Sequence, residues 1–123
     1  MTIAAIALGG ALGSVLRYLL ANAVQSVAGR QFPLGTLAVN VLGSLVIGLL
    51  FVWLFERSAA TPAIRAFWMI GVLGGFTTFS SFSLETFNLI AEAAYGRALA
   101  NAVLSVILCL GATWVGVIVG RQL

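Results

Sequence analysis

The chain contains no histidine, lysine or aspartate and only one cysteine, Cys109. A single thiol excludes an intrachain disulfide. Without histidine and with one cysteine, no zinc or iron site of the usual kind can be built, and the common nucleophile–histidine catalytic pairs are absent. Charge is scarce at 7% of residues. Arg17, Arg30, Arg57, Arg65, Arg97 and Arg121 face only Glu56, Glu85 and Glu92, for a net +3. The sequence pI near 10.0 therefore rests on a few isolated arginines. There is no basic patch, so nucleic acid is not a partner.

What fills the chain is apolar: 62% hydrophobic residues and a mean hydropathy of +1.16, a membrane composition rather than that of a soluble domain. A bilayer crossing needs about 20 apolar residues, and hydropathy divides the chain into four such spans at about 3–27, 33–55, 63–95 and 98–120. The first begins at Ile3 with no basic leader and no small-residue cleavage site after it, so it reads as a retained helix and not a signal peptide. The expected fold is an all-α integral membrane protein with four transmembrane helices in one domain. The third span is too long for one untilted crossing.

Small residues recur at helical spacing in every span: Ala5, Gly9 and Gly13; Asn40, Ser44 and Gly48; Gly71 and Gly75; Ala112, Gly116 and Gly120. Such stripes let helix backbones approach closely in lipid. The arginines divide evenly between the two membrane faces, with Arg57, Arg65 and Arg121 on the face of the termini and Arg17, Arg30 and Arg97 toward the other. The positive-inside rule then has no bias to act on. Insertion in both orientations, and pairing of two copies as an antiparallel homodimer, is the expectation. Trp53, Trp68 and Trp114 fall near one face and Tyr18 and Tyr95 near the other, as interfacial belts do.

The densest polar cluster sits at mid-span. Residues 74–83 read GGFTTFSSFS, with five hydroxyls and three phenylalanines behind two glycines. Gly74 and Gly75 followed by Thr77 and Thr78 weaken a helix through glycine entropy and β-branching. A break near 74–79 is expected, and it is tolerated at membrane depth only where it is buried in protein or lines a cavity. Freed N–H groups and hydroxyls suit an anion, and no acidic residue lies in the cluster to line a cation path. Phe79 and Phe82 are three apart and share a helix face. Their ring edges are electropositive and can attract a small anion. Ser80 and Ser83, each one residue on, add donors at the same spacing. Weak multiple sites of this kind are what conduction requires.

Other polar residues extend the pattern. Asn40 either lines a path or bonds across helices. Asn101, Ser105, Cys109 and Thr113 form an i+4 ladder in span four, as an anion track or as glue to another helix. Glu85 is functional or pairs with an arginine. Arg17, about 10–15 Å inside span one at 1.5 Å per residue, either draws anions into a vestibule or snorkels.

The sequence resembles the Fluc/CrcB fluoride channels over essentially its whole length. The likeness is carried by the four-span layout, the arginine of SVLRY (14–18), PLGTLAVN ending at Asn40, and above all GGFTTFSSFSLE at 74–85. The resemblance implies a dual-topology homodimer in a prokaryotic plasma (inner) membrane with two antiparallel fluoride pathways. Phe79 and Phe82 would be the ring pair; Asn40, Ser80 and Ser83, with Thr78 and Ser81, would be polar contacts. Glu85 and Arg17 match the family's carboxylate and span-one arginine. A structural sodium ion would be held at the dimer centre by backbone carbonyls at Gly74 and Thr77. Passive export of fluoride would relieve its toxicity. One departure stands out: where relatives often have serine in span four, this chain has Cys109, a weaker donor, which shifts weight to Ser105 or Thr113.

Two other classes fit four spans. A small multidrug-type transporter needs a membrane carboxylate in span one, and none is present there. A non-transporting accessory subunit explains the hydrophobicity but not the hydroxyl–phenylalanine cluster.

Overall fold

All four apolar stretches are helical in the computed structural model, which describes all 123 residues, Met1–Leu123. Helix α1 is Thr2–Ala28. Helix α2 is Leu34–Phe51, prolonged by a wider π-type turn over Val52–Glu56. Helix α3 comprises Pro62–Arg65, a π-type stretch Ala66–Val72 and Leu73–Phe76. Helix α4 is Phe79–Ala91 and helix α5 is Tyr95–Gln122. There are no strands. Four segments are long and apolar enough to cross a bilayer: Thr2–Ala28, Leu34–Glu56, Pro62–Ala91 and Tyr95–Gln122.

Polar contacts at the helix ends fix the alternation. At one end, the Arg121 guanidinium meets the Glu56 carboxylate at 2.6 Å. Arg57 donates to the Arg121 carbonyl at 2.6 Å. Arg65 donates to the Leu54 carbonyl at 3.1 Å and lies 4.4 Å over the Phe55 ring. Thr61 caps α3 by accepting from Ile64 N–H at 3.3 Å, directly ahead of Pro62 at the position proline favours. At the other end, Arg97 donates to the Gln31 carbonyl at 2.9 Å. There the Gln25 amide closes the α1–α2 turn, donating to Phe32 O and accepting from Gly35 N–H, both at 3.0 Å. Successive turns thus lie at opposite ends, as four crossings require.

Packing follows the small-residue stripes, and the stripes pair. That of α1 meets α3: a methyl at Gly13 would collide with the Val72 carbonyl, and one at Gly75 would lie 2.7 Å from the Gly10 carbonyl. That of α2 meets α5: methyls at Gly48 and Gly116 would collide with the Thr113 and Leu45 carbonyls. Backbone stands against backbone at these points, so a side chain cannot be accommodated by a rotamer change. Gly13→Val and Gly116→Val are each expected to cost at least about 3 kcal/mol of helix packing. The readout is loss of the monodisperse peak in size-exclusion chromatography of the detergent-purified protein; a normal peak and melting temperature would contradict the close approach. Val39 and Val52 are both fully buried, Val52 against Gly120 of α5.

Midway along the third span the backbone leaves the helix. Thr77 (φ −83°, ψ 157°) and Thr78 (φ −152°, ψ 118°) are extended, between Leu73–Phe76 and Phe79–Ala91. Gly74 and Gly75 remain helical. Extended backbone is the conformation β-branched residues favour. Thr77 donates both its N–H and its hydroxyl to the Leu73 carbonyl, at 2.9 and 2.8 Å.

Candidate functional site

Two extended residues at mid-span expose backbone groups that lipid cannot satisfy. Asn40 of α2 supplies the missing partners for one of them. Its Nδ2 donates to Thr78 O at 3.0 Å, and its Oδ1 accepts from Thr78 N–H at 2.8 Å. A single amide therefore clamps both polar groups of one residue. The Thr78 N–H, which in an unbroken helix would close onto Gly74 O, is directed to Asn40, so that carbonyl loses its regular donor. Thr78 in turn caps α4: its Oγ1 accepts from Ser81 N–H at 3.2 Å and donates to Ser81 Oγ at 3.1 Å, with Ser80 Oγ at 3.3 Å.

Thr78 stands between two cavities. The first, about 440 Å³, is lined by Asn40, Gly43, Ser44, Gly74, Thr77, Thr78, Phe79, Phe82, Ser105 and Cys109, with aliphatic side chains closing the rest. The Phe79 and Phe82 rings are 5.3 Å apart between centroids, with planes inclined at 47°. Phe79 is 78% exposed, so this cavity opens on the outer face of the chain. The second cavity, about 370 Å³, is lined by Ser14, Arg17, Tyr18, Asn22, Thr36, Thr78 and Ser81. The first holds rings, hydroxyls and a thiol; the second brings a guanidinium to a set of neutral donors. The Asn40–Thr78 clamp lies where they meet.

Beside this junction, Thr36 donates its hydroxyl to Glu85 Oε1 at 2.6 Å. Glu85 Oε2 is buried with no hydrogen-bond partner. No arginine contacts this carboxylate; its partner is a threonine. Helix α5 contributes a divided ladder. Ser105 and Cys109 face the first cavity. Asn101 instead donates to Thr86 Oγ1 at 2.9 Å.

The residues singled out in the sequence are thus placed as follows. Asn40, Gly74, Thr77, Thr78, Phe79, Phe82, Ser105 and Cys109 come together around one cavity, and Arg17 and Ser81 around the other. Ser80 and Ser83 are exposed and line neither. Sequence reasoning missed Thr36, although it lies four residues before Asn40 on the same face of α2 and inside the PLGTLAVN motif. It also missed Ser14 and Asn22, which with Tyr18 recur every four residues on α1 beside Arg17, and Thr86, one residue after Glu85.

Residues 4–117 match the family described as CrcB-like protein, Camphor Resistance (CrcB). Among curated proteins, the chain is 50% identical over 121 residues to a protein of Magnetococcus marinus named Fluoride-specific ion channel FluC, covering 98% of both chains. Proteins of the same name in Coxiella burnetii and Geobacter sulfurreducens are similar to the same degree. The first is 48% identical across the full length of both chains. The second is 50% identical over 122 residues, covering 99% of this chain and 98% of the relative.

Proposed function

Since the chain belongs to the CrcB-like protein family, we propose that it is a fluoride-specific ion channel that lets the anion leave the cytoplasm passively and so relieves fluoride toxicity. The observation that carries this reading is the junction at Thr78, where a cavity of phenyl rings and hydroxyls adjoins a cavity holding an arginine. Neutral HF enters from acidic surroundings and ionises inside; a passive anion path then returns fluoride outward under the membrane potential. In such a path, Arg17 raises the local anion concentration. The rim hydrogens of Phe79 and Phe82 and the hydroxyls of Thr78, Ser81 and Ser105 replace water around the ion in weak successive contacts. Ser80 adjoins this path through its hydroxyl contact with Thr78, Ser83 stands on the exposed face of α4, and Glu85 borders the path through Thr36.

The working unit is an antiparallel homodimer in the plasma (inner) membrane. The even arginine count supports insertion in both orientations. The outward opening of the first cavity supports closure by a second copy, which would also cover the mostly exposed α5. The interrupted third span is the element around which both pathways are built.

A sodium ion fits the centre of that dimer. No cluster of histidine, cysteine, aspartate or glutamate competes for a metal. Gly74 faces open space, with only the Met69 carbonyl 4.0 Å from where a Cβ would stand. Its carbonyl has lost the Thr78 N–H, and together with the Thr77 carbonyl it offers hard oxygen donors. When bound, the cation supplies positive charge that offsets the carbonyl dipoles and ties the two interrupted spans together.

The decisive measurement is fluoride efflux from liposomes holding only the purified protein, with no proton gradient and with chloride excluded. Efflux supports the channel. Proton-driven export of an aromatic cation would identify a small multidrug-type transporter, and absence of flux an accessory subunit. Within the channel reading, Cys109→Ser replaces a weak donor by a stronger one in the first cavity. It is expected to leave fluoride flux unchanged or to raise it about twofold to fivefold, on the scale of a few tenths to one kcal/mol. A large fall in flux in the same liposome assay would remove Cys109 from the path.

A further inference from the structure

Helix α4 has little apolar anchoring. Leu89 is its one buried residue, while Phe79, Leu84, Phe87 and Ile90 are exposed. Its orientation therefore depends on polar ties, and two adjacent residues provide them toward different neighbours. Glu85 is bonded to Thr36 of α2 at 2.6 Å. Thr86 accepts from Asn101 Nδ2 of α5 at 2.9 Å and donates its own hydroxyl to the Phe82 carbonyl at 2.8 Å. The three groups form a directed chain, amide to hydroxyl to carbonyl, in which each bond polarises the next.

Asn101 is 2% exposed, the most buried polar side chain in the molecule, and neither it nor Thr86 lines either cavity. Contact with a passing ion does not account for it. Simple adhesion does not either, since apolar contact would hold the helices together without a buried amide, which is costly unless its bonds are made. What a hydrogen bond adds over apolar contact is direction. Resting on the channel reading above, we infer that Asn101, acting through Thr86, is a positioning residue that fixes the rotation of α4 and hence the direction in which Phe82 presents its ring.

The test uses the full-length protein in liposomes, measuring fluoride efflux and chloride leak per folded protein together with the melting temperature. Thr86→Val is isosteric and removes both hydroxyl bonds; Thr86→Ser keeps them; Asn101→Leu removes the amide donor. Thr86→Val and Asn101→Leu are each expected to lower fluoride efflux about tenfold and to raise the chloride-to-fluoride ratio, with the double variant no worse than the poorer single, as for partners in one unit. Thr86→Ser is expected to stay within about twofold of wild type. Thr86→Val at wild-type flux, Thr86→Ser as impaired as Thr86→Val, or single effects that multiply in the double variant would each overturn the proposal. Because Thr86 is only part-buried, Thr86→Val decides the matter even where Asn101→Leu fails to fold. Wild-type liposomes without fluoride efflux would remove the channel reading itself, whereas wild-type efflux with unaltered variants would remove only this role for Asn101.

Discussion

Phe79→Ile and Phe82→Ile are each expected to reduce fluoride flux by at least about tenfold while leaving a folded protein. A tenfold change corresponds to about 1.4 kcal/mol, and edge contacts with an aromatic ring are of about that size, 0.5–1.5 kcal/mol between neutral partners. A bare anion in a low-dielectric path gains more from the same edge than a neutral partner does. Isoleucine keeps bulk and hydrophobicity but has no electropositive rim, so the substitution isolates the electrostatic contribution. Phe79 is 78% exposed, so little packing is lost at that position. Phe76, in the same run, is the matched control. It is 8% exposed and lines neither cavity. Phe76→Ile is therefore expected to lower the melting temperature while sparing the flux of the protein that folds. The checks are fluoride-electrode efflux from liposomes and thermal unfolding in detergent for all three variants. Flux unimpaired in both Phe79→Ile and Phe82→Ile would sink the role of the ring edges.

The contrast between these phenylalanines shows how far the sequence could be read. Four spans were legible because about 20 consecutive apolar residues have few other uses, and the observed segments depart from the expected bounds by only a few residues. The stripes were legible as stripes, but their partners were not: spacing on one helix is silent about which neighbour it meets, and only the structure pairs Gly13 with α3 and Gly116 with α2. In GGFTTFSSFS the residue types pointed to the stretch where the backbone leaves the helix, yet which residues do so is finer than composition can give. The glycines stay helical and the extended pair is Thr77 and Thr78. Thr36 was passed over because one hydroxyl in a helix usually bonds to its own backbone; nothing in its neighbourhood announces a carboxylate 49 positions away. Asn101 shows a choice that spacing leaves open. The i+4 ladder reads as an anion track or as glue to another helix, and as it drifts around α5 it divides: Asn101 bonds Thr86 of α4 while Ser105 and Cys109 face the cavity.

Asn40 is where the largest loss is expected. Asn40→Leu keeps the branched shape of the side chain and removes both bonds to Thr78, leaving a backbone N–H and C=O unpaired at mid-span. Each such group costs about 1–3 kcal/mol in a protein interior, so about 2–6 kcal/mol is at stake. The extended pair would then close toward a regular helix or collapse into the cavities, and either outcome removes the junction at Thr78. Flux is expected to fall to background, with a lowered melting temperature. Asn40→Asp separates the two duties of the side chain. It keeps an acceptor for the Thr78 N–H, so more of the fold survives than in Asn40→Leu, but it places a carboxylate on the wall of the first cavity. Like charge there opposes an anion, so flux is expected to be low despite the better-preserved structure. An amide that merely lined the path would give the reverse order: Asn40→Leu stable and partly conducting. If Asn40→Leu melts and conducts as wild type does, the clamp does not hold the extended pair open, and the backbone at Thr77 and Thr78 must owe its shape to the threonines themselves.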